Sequence, residues 1–465
     1  MKNFVDKDFI LGNDISRKLY HEYCENLPII DYHCHINPEE IYMDRHFDNI
    51  TQLWLEGDHY KWRAMRSFGV DEKYITGDAS DYDKFIKYAE TLENAIGNPL
   101  YHWSHLELKK YFGYDGILNS KTADKVWEIC KDKLINDNLS VRSIIEKSNV
   151  EVICTTDDPT DDLRWHKRLK ECNFSTKVFP AWRPDKVINI EKDDYLPYIG
   201  KLENVTGINI VSINLLKAAL IDRLNYFKNA GCKVSDHGID FVPYKRCSAI
   251  ELETIFEKAL NKEALSEDDV EKYKTEMIIF LAAQYVKNDW VMQIHYGCDR
   301  NNNRLQYDIL GPDTGYDSIS NNAPSWKIVR MLDCILVNSG LPKTILYSLN
   351  PNDNTVIDSI IGSFQGSEAA GKIQHGSAWW FNDNKSGMEA QLISLANLGV
   401  LGKFVGMVTD SRSILSYTRH DYFRRILCNL IGSWVENGEY PEDYDALGQI
   451  VKCIAYDNAK EYFNL

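Results

Sequence analysis

The stretch Ile29-Ile30-Asp31-Tyr32-His33-Cys34-His35 reads as a short apolar strand that ends in two histidines one residue apart. Side chains two apart on an extended backbone point the same way, so His33 and His35 are expected on one face and Tyr32 and Cys34 on the other. Two neutral imidazoles so placed can serve one divalent cation. Histidines also cap ordinary core strands, so the pair gains meaning only from what else stands near it. Other groups suited to metal, proton or anion chemistry stand where later apolar runs stop: Arg183, Asp236 with His237, His295, and Asp410 with Arg412 two residues on. Such convergence marks a site. His33, His35 and Asp410 make an open set of two imidazoles and one carboxylate, suited to zinc or a similar divalent ion. His295 is either a further ligand or a hydrogen-bond partner of the substrate, and both readings stay open.

The elements that must position these groups follow from the rhythm of the chain. Eight apolar runs, at 29–35, 151–156, 177–182, 232–239, 290–295, 343–349, 372–376 and 404–410, are separated by stretches with helical patterning. That alternation predicts an α/β fold with a parallel sheet, and eight strands close a (β/α)8 TIM-type barrel whose working groups sit at the C-terminal strand ends. The barrel takes residues 1–35 and 150–465. Residues 36–149, too long for a loop, are dense in helical patterns at 49–55, 83–96, 106–112, 122–134 and 141–148 and are read as an inserted helical subdomain that contributes to the active site. Near its start the polar and aromatic residues Gly57-Asp58-His59-Tyr60-Lys61-Trp62-Arg63 crowd together. A second, smaller insertion is expected at about 240–262.

Composition removes several classes of function. A net charge of -16 disfavours a nucleic-acid partner, and an anionic substrate would have to be held by a few local arginines against the overall field. No apolar window reaches the roughly 18 residues of a membrane span. The eleven cysteines include no Cys-X-X-Cys pair, which points to reduced thiols rather than a disulfide framework. The charged N-terminus lacks an apolar leader core, and a cytoplasmic location is expected. A barrel of this size with a helical appendage could also self-associate into a homo-oligomer.

The strand-one His-X-His with a strand-eight Asp resembles the amidohydrolase superfamily. Together with Trp182-Arg183-Pro184-Asp185-Lys186, Ser235-Asp236-His237-Gly238, Gly376-Ser377-Ala378-Trp379-Trp380-Phe381-Asn382 and Thr409-Asp410-Ser411-Arg412-Ser413, it resembles the uronate (glucuronate) isomerase family over nearly the whole chain. The resemblance implies aldose–ketose interconversion of D-glucuronate with D-fructuronate and of D-galacturonate with D-tagaturonate. It adds His59, Tyr60 and Arg412 to the site. One metal ion, zinc in the first instance, is expected, because the sixth run ends in Tyr347-Ser348-Leu349-Asn350 without a histidine and the fourth has no bridging lysine. Arg183 is expected to grip the substrate carboxylate and Trp380 to pack on the sugar. Tyr60 would be a proton-transfer group with its pKa lowered by Arg412. Asp410 and Tyr60 both remain candidates for the base at C2. The alternatives are a metal-dependent hydrolase of the same superfamily and a non-catalytic sugar-acid binder.

Overall fold

The computed structural model describes residues 4–465. Its parallel strands are β1 (Ile29–Asp31), β2 (Val150–Cys154), β3 (Lys177–Phe179), β4 (Val234–Gly238) and β5 (Val291–Tyr296). A short antiparallel pair, β6 (Cys298–Asp299) and β7 (Ser318–Ile319), follows before β8 (Thr344–Ser348) and β9 (Ile373–His375). Ladders run β1-β2-β3 and β4-β5-β8-β9, all parallel. Trp182 joins the two sheets by bridging Asp157 on one side and Ser235 on the other. The order is that of a (β/α)8 barrel, with a helix covering most crossovers.

The eighth expected strand, 404–410, is a correction. It runs alongside β1 without forming a ladder, because Gly406 (φ 80°) and Asp410 (φ 43°) turn the backbone into the left-handed region. A Cβ on Gly406 would lie 2.3 Å from the Ile454 carbonyl oxygen, so only glycine fits. Side-chain bonds stand in for the ladder: Thr409 N donates to Asp31 Oδ1 at 2.9 Å and Thr409 Oγ1 to Asp31 Oδ2 at 2.5 Å. The Asp410 N–H reaches the His33 carbonyl at 3.2 Å. On the β9 side Gln374 Nε2 donates to the Lys403 carbonyl at 3.0 Å. β1 is correspondingly shorter than expected, so His33 and His35 lie beyond its regular pairing rather than on the pleat.

Ile30, Tyr32, Val152, Cys154, Ala181, Val234, Val291, Ile345 and Tyr347 pack as one cluster inside the barrel. Tyr462 and Phe463 of the helix Asn458–Phe463 join it from the N-terminal end, where the Tyr462 hydroxyl donates to the Lys372 carbonyl at 2.8 Å. Between β1 and β2 lie the helices Pro38–Met43, Ile50–Leu55, His59–Phe68, Asp81–Glu93, Pro99–Phe112, Ala123–Asn136 and Val141–Lys147. Their buried side chains belong to the same apolar cluster as the outer helices of the barrel. The helix His59–Phe68 was not anticipated. Its polar and aromatic residues show no clean apolar stripe, yet Asp58 caps it by accepting from Tyr60 N and Lys61 N.

Candidate active site

At the C-terminal ends of the strands the two histidines converge on one carboxylate. His33 Nε2 lies 3.1 Å and His35 Nε2 3.2 Å from Asp410 Oδ1. Trp379 Nε1 donates to the other oxygen, Oδ2, at 2.6 Å, so the carboxylate is clamped from both sides. Burial works against its charge, but the bonds to His33 and His35 outweigh burial and hold Asp410 well below the usual carboxylate range.

Beside this trio stands a second one. His33, Asp236 and His295, like His33, His35 and Asp410, bring one ligand atom each within 4.8 Å of one another. His295 Nδ1 is bonded to Asp236 Oδ1 at 2.7 Å, which fixes the ring and presents Nε2. His33 Nδ1 and His295 Nε2 are buried with no hydrogen-bond partner among the described residues. Buried imidazole nitrogens of this kind suit a cation or a substrate hydroxyl, so the donor set fits a divalent metal.

Arg183 is braced by the same acidic groups, with Nε on Asp185 Oδ2 at 2.7 Å and Nη1 3.1 Å from Asp236 Oδ2. The guanidinium lies against the backbone of Gly238, where an added Cβ would come within 2.2 Å of Nη2. His237, next to Asp236, turns the other way and meets the Tyr285 hydroxyl at 3.1 Å.

The inserted helix His59–Phe68 closes the site from the side. His59 packs edge-on against Trp380, ring centres 4.7 Å apart, and burial brings its pKa down to about 4, so the imidazole is neutral. The Tyr60 hydroxyl donates to Asp383 Oδ2 at 2.9 Å. The expected effect of Arg412 on Tyr60 is corrected by the geometry. Arg412 Nη1 lies 3.3 Å from His59 Nδ1 and Nη2 3.8 Å from Asp313, whereas the guanidinium over the Tyr60 ring, 5.1 Å from its centre, is that of Arg419. Burial, reinforced by Asp383, pushes the Tyr60 phenol well above its ordinary value despite Arg419. Trp380 has a left-handed backbone (φ 38°) and stacks on Phe381.

Of the residues expected from the sequence, His33, His35, His59, Tyr60, Arg183, His295, Trp380, Asp410 and Arg412 line one cavity of about 620 Å³, whereas Asp236 braces Arg183 and His295 from behind and His237 faces Tyr285. Sequence reading missed Trp379, Asp383 and Arg419. Trp379 stood one residue from the tryptophan that was chosen. Arg419 is almost wholly buried in the helix Thr418–Glu436, and nothing local in the sequence marks it as belonging to the site.

Comparison with known proteins agrees with this geometry. The sequence pattern of the family described as glucuronate isomerase matches residues 1–463. The uronate isomerase of Endomicrobium trichonymphae is 58% identical over 464 residues, covering 100% of this chain and 99% of that protein. That of Lachnospira eligens is 57% identical with the same coverage. The crystal structure of the Thermotoga maritima uronate isomerase superposes with a TM-score of 0.94 at 32% identity, covering 99% of this chain and 100% of the other. A match over the full length, joined to a cavity that gathers the His-X-His pair, the eighth-segment aspartate and the inserted tyrosine, places this chain in the glucuronate isomerase family.

Proposed function

We propose that this chain is an aldose–ketose isomerase that interconverts D-glucuronate with D-fructuronate and D-galacturonate with D-tagaturonate. The observation that carries the reading is the meeting of His33, His35 and Asp410 at 3.1 and 3.2 Å in a cavity that also holds the Tyr60 phenol. One divalent ion, zinc in the first instance, would be held by His33, His35 and Asp410, with His295 facing the substrate. When bound, such an ion supplies Lewis-acid polarisation of the substrate's carbonyl and hydroxyl oxygens.

The protonation states divide the labour between the two candidate bases. Asp410, held well below the usual carboxylate range, is ionised and an acceptor at neutral pH, whereas the Tyr60 phenol, pushed well above its ordinary value, is a donor. Asp410 therefore takes the proton from C2 while Tyr60 gives its proton to O1, leaving an enediol. Tyr60 then recovers a proton from O2, and Asp410 returns its proton to C1. Atoms and charge balance over the two halves. Arg183, held flat by Asp185 and Asp236, retains N–H groups for the substrate carboxylate. Trp380 gives the sugar an apolar surface.

The free cysteines suit a reducing compartment, and we place the enzyme in the cytoplasm. Among the described residues no helix is long and apolar enough to cross a membrane. The test is an assay of metal-replete protein on D-glucuronate, run beside a panel of amides and lactones and combined with metal analysis. Ketose formation is expected, and its absence with hydrolysis of any panel member would overturn the assignment.

A further inference from the structure

At the opposite end of β1 from His33, the Pro99–Phe112, Val141–Lys147 and Thr418–Glu436 helices and the N-terminal segment enclose a second cavity, of about 480 Å³. Its lining departs from the rest of this acidic protein. Of the six cations that line it, Lys109 pairs with Asp115 and Arg425 with Asp421, whereas among the described residues Lys7, Lys110, Lys147 and Arg424 form no ion pair with a carboxylate. The three carboxylates in the lining are already committed. Asp421 holds Arg425 at 3.0 Å and accepts from the Tyr20 hydroxyl. Glu25 pairs with His21 at 2.9 Å, and Asp6 Oδ1 accepts from the Asp8 N–H at 2.9 Å.

Arg424 is the unusual member. Only 4% exposed, it donates from Nη1 to the Leu27 carbonyl at 2.8 Å and from Nη2 to the Pro28 carbonyl at 2.7 Å, while Nε has no partner. A buried guanidinium whose hydrogen bonds go only to neutral carbonyls keeps most of its desolvation cost, because Asp421, the carboxylate nearby, is shared with Arg425. Burial accordingly pulls its pKa below the ordinary arginine value. The three lysines are exposed around it. Exposed lysines over a buried arginine whose nearby carboxylate, Asp421, is shared with Arg425 form a cationic well in a chain of net charge -16, where a general attraction for anions cannot be the cause.

The geometry points to a binding site for a compact dianionic metabolite, a phosphate monoester or a dicarboxylate, separate from the isomerase cavity. The ligand's charge compensates Arg424, and Arg424 holds the carbonyls of the two residues that lead into β1. The occupied site therefore bears on the strand that leads into His33 and His35.

Calorimetric titration of the metal-replete enzyme at fixed ionic strength tests this, with inorganic phosphate, a hexose 6-phosphate and a hexarate as separate probes. The variant is Lys110→Gln/Lys147→Gln, because Arg424 is tied into the backbone and its replacement endangers folding. At least one probe is expected to bind the wild type and to bind the double variant about tenfold more weakly, while turnover without added probe is unchanged. A component lost for the hexose phosphate assigns the site to phosphate, and one lost for the hexarate assigns it to carboxylates. Equal binding by the wild type and the double variant, or no binding of any probe, overturns the proposal.

Discussion

Tyr60 and Asp383, 323 residues apart in sequence, share a hydrogen bond of 2.9 Å from the phenol to Oδ2. Burial pushes Asp383 up to about 7, although Arg419 and Tyr60 pull the other way. The carboxyl can therefore pass between its two forms near neutral pH while it bonds the Tyr60 phenol. Tyr60→Phe is expected to lower kcat by about 10²–10⁴-fold with little change in KM. Asp383→Asn should cost about tenfold in kcat and remove the limb near pH 7 from the pH profile of kcat. A profile unaltered by Asp383→Asn would show that Asp383 only packs against Tyr60.

Arg419 connects this pair to the loop that carries Asp410. Its Nη1 donates to the Thr409 carbonyl at 3.1 Å and lies 3.5 Å from Asp383 Oδ2, and its guanidinium sits 4.1 Å from the centre of the Trp103 ring. Removing one partner of a buried ion pair leaves the other uncompensated. Arg419→Met is therefore expected to destabilise the fold by about 3 kcal/mol, read by urea unfolding. Loss of stability below about 1 kcal/mol would mean that solvent reaches Asp383.

The trio of His33, His35 and Asp410 and the arginine Arg183 should fail in different ways. Asp410→Asn and His33→Ala are expected to abolish turnover, the latter together with bound metal, and a chelator should reproduce the loss reversibly. Arg183→Met should chiefly raise KM. Gly238→Ala, which crowds Arg183 Nη2, should raise KM in the same direction and less. Equal losses of kcat in Asp410→Asn and Arg183→Met would contradict the division of roles.

Trp379 touches Asp410 without being a ligand. Trp379→Phe keeps most of the packing and removes the N–H that holds Oδ2 at 2.6 Å. A fall of about tenfold in kcat is expected, with metal content and melting temperature nearly unchanged. Loss of metal with the activity would move Trp379 from orienting the carboxylate to building the site.

Stability should depend on pH through Asp157. Burial raises its pKa to about 7, against bonds from Thr155 Oγ1 at 2.7 Å and the Ala181 N–H at 3.1 Å. A carboxyl whose folded pKa is raised stabilises the fold fully below its unfolded value near 4, and that contribution is lost as pH rises through about 7. Asp157→Asn cannot ionise. Its stability relative to the wild type should rise by about 2–4 kcal/mol between pH 4 and pH 8, measured by denaturant unfolding. His166, brought down to about 4 by burial, acts in the opposite sense below its unfolded pKa and lies 3.6 Å from Asp157 Oδ1, so the comparison is repeated in a His166→Gln background to isolate Asp157.

The sequence by itself determined the parallel α/β alternation, the His-X-His after the first strand and the aspartate of the last segment. Each is written in a few contiguous residues, where apolar period and strand-end chemistry act locally. It also carried the identity of the family through motifs spread along the chain. The tertiary structure decided what needs distant segments to meet. The last segment lies beside β1 without a ladder because Gly406 and Asp410 take left-handed conformations. Tyr60 faces Asp383 and Arg419 rather than Arg412, because a helix capped by Asp58 swings the phenol inward. An arginine in a helix that also carries Asp421, Arg424 and Arg425 looks the same in sequence whether it reaches solvent or a buried carboxylate. Only packing sets its dielectric surroundings, and with them the charge state of Asp383 and Tyr60.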